Sequence, residues 1–203
     1  MPDIFPEEFY ESTEFNQLIV KKADLRGRTF ENCRFEACNF SGCNFGESLF
    51  AECEFSGCDL SLAKLENTRL QGVTFLRCKL AGVNFSQVNT LVLEINFHES
   101  IISDANFSSL ALPETGFCKC VIKNCDFFQA DLSEVDFSEA DLSGSLFENT
   151  NLTGADFAGA RNYTINALNN RIEKAKLSLP EALSLLSVFE IVLVDDVPDE
   201  SSE

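Results

Sequence analysis

At 203 residues, 45% of them hydrophobic, the chain is long enough for one domain with a substantial core. Fifteen basic against 33 acidic residues leave a formal charge of −18, which excludes direct affinity for nucleic acid, because phosphate binding needs cationic neutralisation. No apolar run approaches the roughly 18 residues of a membrane helix, and Asp3, Glu7, Glu8, Glu11 and Glu14 stand where an apolar leader would lie, so the nine cysteines are expected as thiols in a reducing cytoplasm.

The chain is organised by a period of five. Every fifth residue from Leu25 to Phe85 is Leu or Phe, and the pattern resumes at Phe97 and runs through Ile102 and Ile122 to Phe157. Tyr10, Phe15 and Val20 extend it weakly toward the N-terminus. Two residues before each large apolar residue stands a mostly small one, such as Ala23, Cys33, Cys38, Ala105, Cys120 or Ala155, with Arg28, Ile95 and Leu110 as exceptions. Residues two apart in extended chain share a face, so both point inward and the polar residue between them points out. Glycines such as Gly42, Gly57 and Gly154 fall two residues after the large position, where a corner needs unusual dihedrals. Neither a helix of period 3.6 nor a strand of period 2 can turn an apolar pair inward every five residues, whereas a stacked coil can.

Between Phe85 and Phe97 the phase slips by two residues, and segment 86–96 is expected to leave the wall as a short bulge or loop. The period ends after Ala160, giving a predicted solenoid over 1–160 and a C-terminal cap or dimerisation segment over 161–194. There Ser178-Leu-Pro-Glu181 reads as a capping box that opens an α-helix to about Val188. Glu190–Val194 reads as a strand, and the acidic tail 195–203 as disordered.

Little of the sequence reads as catalytic chemistry. Eight cysteines occupy the small inward position, where Cys behaves as a compact hydrophobe; only Cys118 faces outward. A metal site would need Cys120 to leave the wall, so no metal or cofactor is expected. His98 should face outward with no recognisable nucleophile beside it, and the carboxylates repeat with the coil instead of converging on a cleft. The stretch from Asp126 to Ala160 has no Lys or Arg but carries Asp126, Asp131, Glu134, Asp136, Glu139, Asp141, Glu148 and Asp156, an acidic surface suited to a basic partner. Outward Leu49, Leu76, Ile101, Val121 and Phe128 call for cover, with Ile101 and Val121 stacked on one face.

Units such as Ala130-Asp-Leu-Ser-Glu, Ala140-Asp-Leu-Ser-Gly and Cys43-Asn-Phe-Gly-Glu resemble the pentapeptide-repeat family over about residues 10–160. The resemblance implies an all-β solenoid, a right-handed quadrilateral β-helix with twenty residues per coil, ending in a short α-helix and strand. Twenty-six clear units would make six to seven coils and a rod of roughly 30 Å. The ending Leu177-Ser-Leu-Pro-Glu-Ala-Leu-Ser-Leu-Leu186 resembles the topoisomerase-protecting branch, with its albicidin-resistance, microcin-immunity and Qnr-type members. That likeness implies a homodimer joined through Leu179, Leu183, Leu186, Phe189 and Ile191. It also implies a DNA-mimicking, non-enzymatic role on DNA gyrase or topoisomerase IV, modulating inhibitors that trap cleaved DNA. The alternative is an interaction module with an unrelated protein partner. A two-residue insertion at the break departs from the large projecting loop of Qnr-type proteins, which argues against quinolone protection and leaves an albicidin- or microcin-type specificity open.

Overall fold

The computed structural model describes residues 5–189 and residue 191. It is a parallel β-solenoid of about eight turns. Tyr10 lies beside Phe30 and Phe30 beside Phe50; Phe15 lies beside Phe35 and Phe35 beside Phe55. The step of twenty closes one coil from four five-residue units and creates four faces. Face 1 begins with Tyr10, face 2 with Phe15, face 3 with Val20 and face 4 with Leu25.

The large apolar residues fill the interior as columns. Face 2 carries the longest, in which Phe15, Phe35, Phe55, Phe75, Phe97, Phe117, Phe137 and Phe157 follow one another at ring-centroid spacings of 4.5–5.3 Å. Rings on the opposite faces 2 and 4 meet edge to face across the interior, as Phe97 meets Phe107 and Phe117 meets Phe127. Stacked contact along the axis and T-shaped contact across it let one aromatic residue satisfy both directions of packing.

The small inward residues do more than fill space. Where they are Cys, Ser or Thr they donate to a carbonyl of the preceding coil: Cys53 Sγ to Phe30 O at 3.3 Å, Cys58 Sγ to Phe35 O at 3.2 Å, Ser48 Oγ to Leu25 O at 2.9 Å and Thr150 Oγ1 to Phe127 O at 2.9 Å. A buried carbonyl without a donor costs about 1–3 kcal/mol, which explains why Cys, Ser and Thr recur where Ala would also fit. Arg28, an exception to the size rule, follows the same logic at the open N-terminal end: its guanidinium donates to Phe5 O at 3.0 Å. Phe5, five residues before Tyr10 and in the same phase, is fully buried and closes the first coil against Tyr10, Phe15, Phe30 and Phe40.

The corners take left-handed backbone, with φ from +63° to +72° at the eight corner glycines. Non-glycine residues such as Glu52, Leu62 and Glu134 hold the same conformation because their N–H groups bond the next coil, Glu134 N to Thr153 O at 2.8 Å. At Gly57 an added Cβ would meet nothing within 4 Å, so Gly57→Ala isolates the backbone cost. Urea unfolding should show a loss of about 1 kcal/mol.

The predicted break is narrower than 86–96. Phe85–Gln87 forms a single 3-10 turn, Val88 is buried in the small inward position, and Asn89 still pairs with Arg69. From Val73 with Ile95 onward the step across the seam is 22, so the two extra residues are absorbed on face 1 between Asn89 and Ile95. Leu93 packs against the core, while Leu91 and Val92 project into solvent.

At the other end the wall outlasts its sequence pattern. Asn151 pairs with Arg171 and Asp156 with Lys176, carrying the coil to Leu177. About eight turns therefore replace the expected six to seven, a rod of ~38 Å at ~4.8 Å per rung. The predicted α-helix is instead a run of 3-10 turns, Glu181–Phe189. Its expected capping box does not form: the Ser178 hydroxyl accepts from Gly159 N at 3.0 Å, securing the last corner, and Leu183 N–H reaches back only three residues to Pro180 O. Of the predicted strand only Ile191 is described, in non-regular, exposed backbone; the remainder of 190–194 and the tail 195–203 lie outside the described residues.

Candidate partner-binding surfaces

The repeat places the acidic residues of the second half on all four faces. Asp126 and Glu148 lie on face 4, Asp131 on face 1 and Asp141 on face 3, while Glu134, Asp136, Glu139 and Asp156 gather on face 2 and its two corners. Asp136 and Asp156 are direct ladder neighbours, as expected from the twenty-residue step.

Each aspartate also has local work. Asp126, Asp131, Asp136 and Asp156 accept from the backbone N–H two residues on, at 2.8–3.1 Å. Such turns fix the bend that follows. Asp141 is the most enclosed: it accepts from the Ser143 N–H and hydroxyl and from Asn162 Nδ2, with Arg161 at 3.6 Å. Burial alone would raise its pKa, but these hydrogen bonds and the guanidinium bring it down to about 2. A lowered carboxylate pKa contributes stability above the unfolded value near 4, and that stability is lost as pH falls toward the folded value. Acid titration of Asp141→Asn against the parent should show a flatter loss between about pH 4 and 2, with roughly 1–2 kcal/mol already missing at neutral pH.

The coil after this stretch supplies the missing cations. Lys176 Nζ meets Asp156 Oδ2 at 2.8 Å, and Arg161 and Arg171 stand above Asp141 and Asn151. The eight acids are thus bounded by a basic rung toward the C-terminal end.

A second acidic region lies where the Lys-free criterion did not point. Glu11 and Glu31 on face 1 are ladder neighbours; Glu14, Arg34 and Glu54 form a column on face 2, with Arg34 3.8 Å from Glu54. Glu36 and the corner residue Glu52 join them. Adding or subtracting twenty along 11–54 reveals this cluster from sequence alone. Face 2 is therefore acidic toward both ends of the rod, whereas face 3 carries Lys21, Lys79, Lys123 and Arg161.

The C-terminal segment is two-sided. Leu185 packs on the core, while Leu179, Leu183, Phe189 and Ile191 are exposed and Leu186 is half-buried. Ile101 and Val121 are stacked, with Ile101 about half exposed; Phe128 is exposed further along. The eight inward cysteines are buried, and Cys118 alone is half-exposed. Burial pushes the Cys53, Cys120 and Cys125 thiols up to about 12. No group of three or more His, Cys, Asp or Glu side chains among the described residues is placed to hold a metal ion. No helix among them is long and apolar enough to cross a membrane.

A quadrilateral solenoid wound from five-residue units, with inward Phe or Leu and outward Asp or Asn, defines a repeat protein whose working surfaces are its faces and ends. The chain belongs to the pentapeptide-repeat family: the model for a pentapeptide repeat region matches residues 28–107, and that for pentapeptide repeats matches 100–138 and 130–161. Among solved structures it is similar to a trypsin-treated variant of QnrB1, a plasmid-mediated fluoroquinolone resistance protein, with 20% identity and a TM-score of 0.70, covering 92% of this chain and 100% of that one. Full-length QnrB1 gives 19% identity and a TM-score of 0.68, covering 90% and 100%. At this identity the likeness establishes the fold. A comparison with curated protein sequences finds no significant match.

Proposed function

We propose that the chain is a binding protein, not an enzyme, and that its partner is a type II topoisomerase, chiefly DNA gyrase, whose response to inhibitors it modulates. The observation that carries this reading is face 2, a continuous wall of the solenoid with acidic clusters toward both ends. Such a face can present negative charge to a cationic DNA-binding groove and be steered there at low salt. Similarity to a fluoroquinolone resistance protein supports the same reading, as does membership of a family whose topoisomerase-protecting branch the C-terminal sequence resembles. Two rods joined through Leu179, Leu183, Leu186, Phe189 and Ile191 would double the length of that face. A cytoplasmic site of action accords with nine free thiols.

Supercoiling and cleavage assays with gyrase, with and without a cleavage-trapping inhibitor, test it. The expected result is altered supercoiling or reduced trapped cleavage at low salt, weakening as salt rises. An interaction module for an unrelated protein would leave every gyrase readout unchanged. Sedimentation of the intact chain should give a dimer, and the double variant Leu183→Asp, Leu186→Asp a monomer. Two charges in a small apolar interface should weaken association at least about 100-fold.

A further inference from the structure

Face 2 carries, between its acidic clusters, chemistry that neither the wall nor the proposed partner surface uses. The Phe97 and Phe117 rings stack at 5.0 Å, Phe97 N–H donates to Gly116 O at 2.8 Å, and Glu99 N–H donates to Cys118 O at 3.2 Å. Those two hydrogen bonds bracket residue 98 and set it opposite residue 118 on the next coil. Both side chains point outward, one residue past an inward ring. Parallel neighbours stand ~4.8 Å apart, so the His98 imidazole and the Cys118 thiol share one patch of surface. Gly116, the other outward residue of that edge, has no side chain, and its N–H donates to Asn96 Oδ1 at 2.8 Å. From the following coil, Ser138 Oγ donates to Cys118 Sγ at 3.4 Å.

The contrast with the remaining cysteines is one of chemistry as well as exposure. The other eight are buried, and burial keeps Cys53, Cys120 and Cys125 protonated. Cys118 has an imidazole at the matching position of the neighbouring rung, a hydroxyl donor to its sulfur and partial exposure to solvent.

We propose that His98 and Cys118 form a thiol–imidazole pair that makes Cys118 a modification site for low-molecular-weight disulfides. His98 takes the proton from Sγ, and the thiolate attacks one sulfur of the disulfide. That S–S bond breaks as the bond to Cys118 forms, and the departing thiolate recovers the proton from His98. Cys118 is oxidised to a mixed disulfide while half of the reagent is reduced to free thiol, so the exchange needs no other oxidant. The charged groups around the pair are Glu99, whose Oε1 lies 3.5 Å from His98 Nε2, Lys119 with Glu139 at 3.7 Å, and Asp136 on the following coil. The pair does not depend on which partner face 2 engages.

Incubating the whole native chain with glutathione disulfide at pH 7, followed by intact mass and peptide mapping, tests this. One adduct is expected, on Cys118, and none on the Cys118→Ser variant. His98→Asn should slow adduct formation about tenfold at pH 7, and near pH 10, where a thiol ionises unaided, the two rates should converge. Convergence shows that the substitution removed a base and left access to the sulfur intact. Failure to form the adduct, comparable modification of any inward cysteine, equal rates at pH 7, or a tenfold difference that persists at pH 10 would each overturn the proposal.

Discussion

Replacing Phe97 by alanine should lower stability by about 3–5 kcal/mol, the largest single-residue effect expected in this chain. Phe97 is buried at the seam where the step changes from twenty to 22 residues. It stacks on Phe75 at 5.1 Å and Phe117 at 5.0 Å and meets Phe85 and Phe107 edge to face at 5.6 and 6.0 Å. Its removal opens a cavity where face 1 is already interrupted, so the surrounding rings have little chance to collapse into it. In a solenoid each coil touches only its neighbours, and a weakened interface lowers the coupling between the two halves. Urea unfolding followed by circular dichroism should therefore show a broadened or biphasic transition for Phe97→Ala. Phe15→Ala, on the first coil at the end of the same column, should cost less and leave a single transition. Equal effects at the two positions would mean that the seam is no weaker than the end.

The Asn170→Leu variant should lose about 3 kcal/mol and fray the last coil, although the site lies beyond the recognisable repeat. Asn170 takes the place that Thr150, Ala130 and Leu110 hold on earlier coils. Its Nδ2 donates to Phe147 O and Asn166 O at 2.9 Å, and its Oδ1 accepts from Thr150 N at 2.8 Å. Leucine has the same branched shape and number of heavy atoms but leaves these three backbone groups without that partner, at about 1–3 kcal/mol for each one that water cannot reach. Hydrogen exchange should report accelerated amides at Thr150, Leu152 and Lys176 while coils near Phe55 stay protected. Uniform loss of protection along the rod would instead indicate global destabilisation.

These two residues also mark how far the sequence could be read. Phe97 was legible because one large side chain every five residues has a single physical solution, an inward column, and because a two-residue slip can only be absorbed at a bulge. The inward cysteines were legible as small apolar residues, but their donation to corner carbonyls follows from where those carbonyls point and leaves no signature that distinguishes it from packing. Asn170 was overlooked because Asn162 and Ala167 stand where large apolar residues are due and Tyr163 and Ile165 fill the coil out of phase, although Ile172 and Leu177 resume the period. Ser178 misled for a related reason: a serine three residues before a glutamate can serve a helix or a neighbouring corner, and here the corner at Gly159 took it. Among the candidate surface residues, Asp136 beside Asp156 came directly from the twenty-residue step. Dispersal of the other acids over four faces follows from the same arithmetic, and the N-terminal glutamate cluster was overlooked because Lys21, Lys22, Arg26, Arg28 and Arg34 lie within its stretch of sequence.

The excursion between Asn89 and Ile95 leaves and rejoins the wall at adjacent points of a single coil. Its length is consequently decoupled from everything above and below: longer polypeptide could be spliced in there for a closure cost that grows only as the logarithm of its length. Face 1 thus contains a natural port at which foreign sequence could be displayed from a rigid rod, and through which the chain could acquire a new specificity without disturbing a single internal ring.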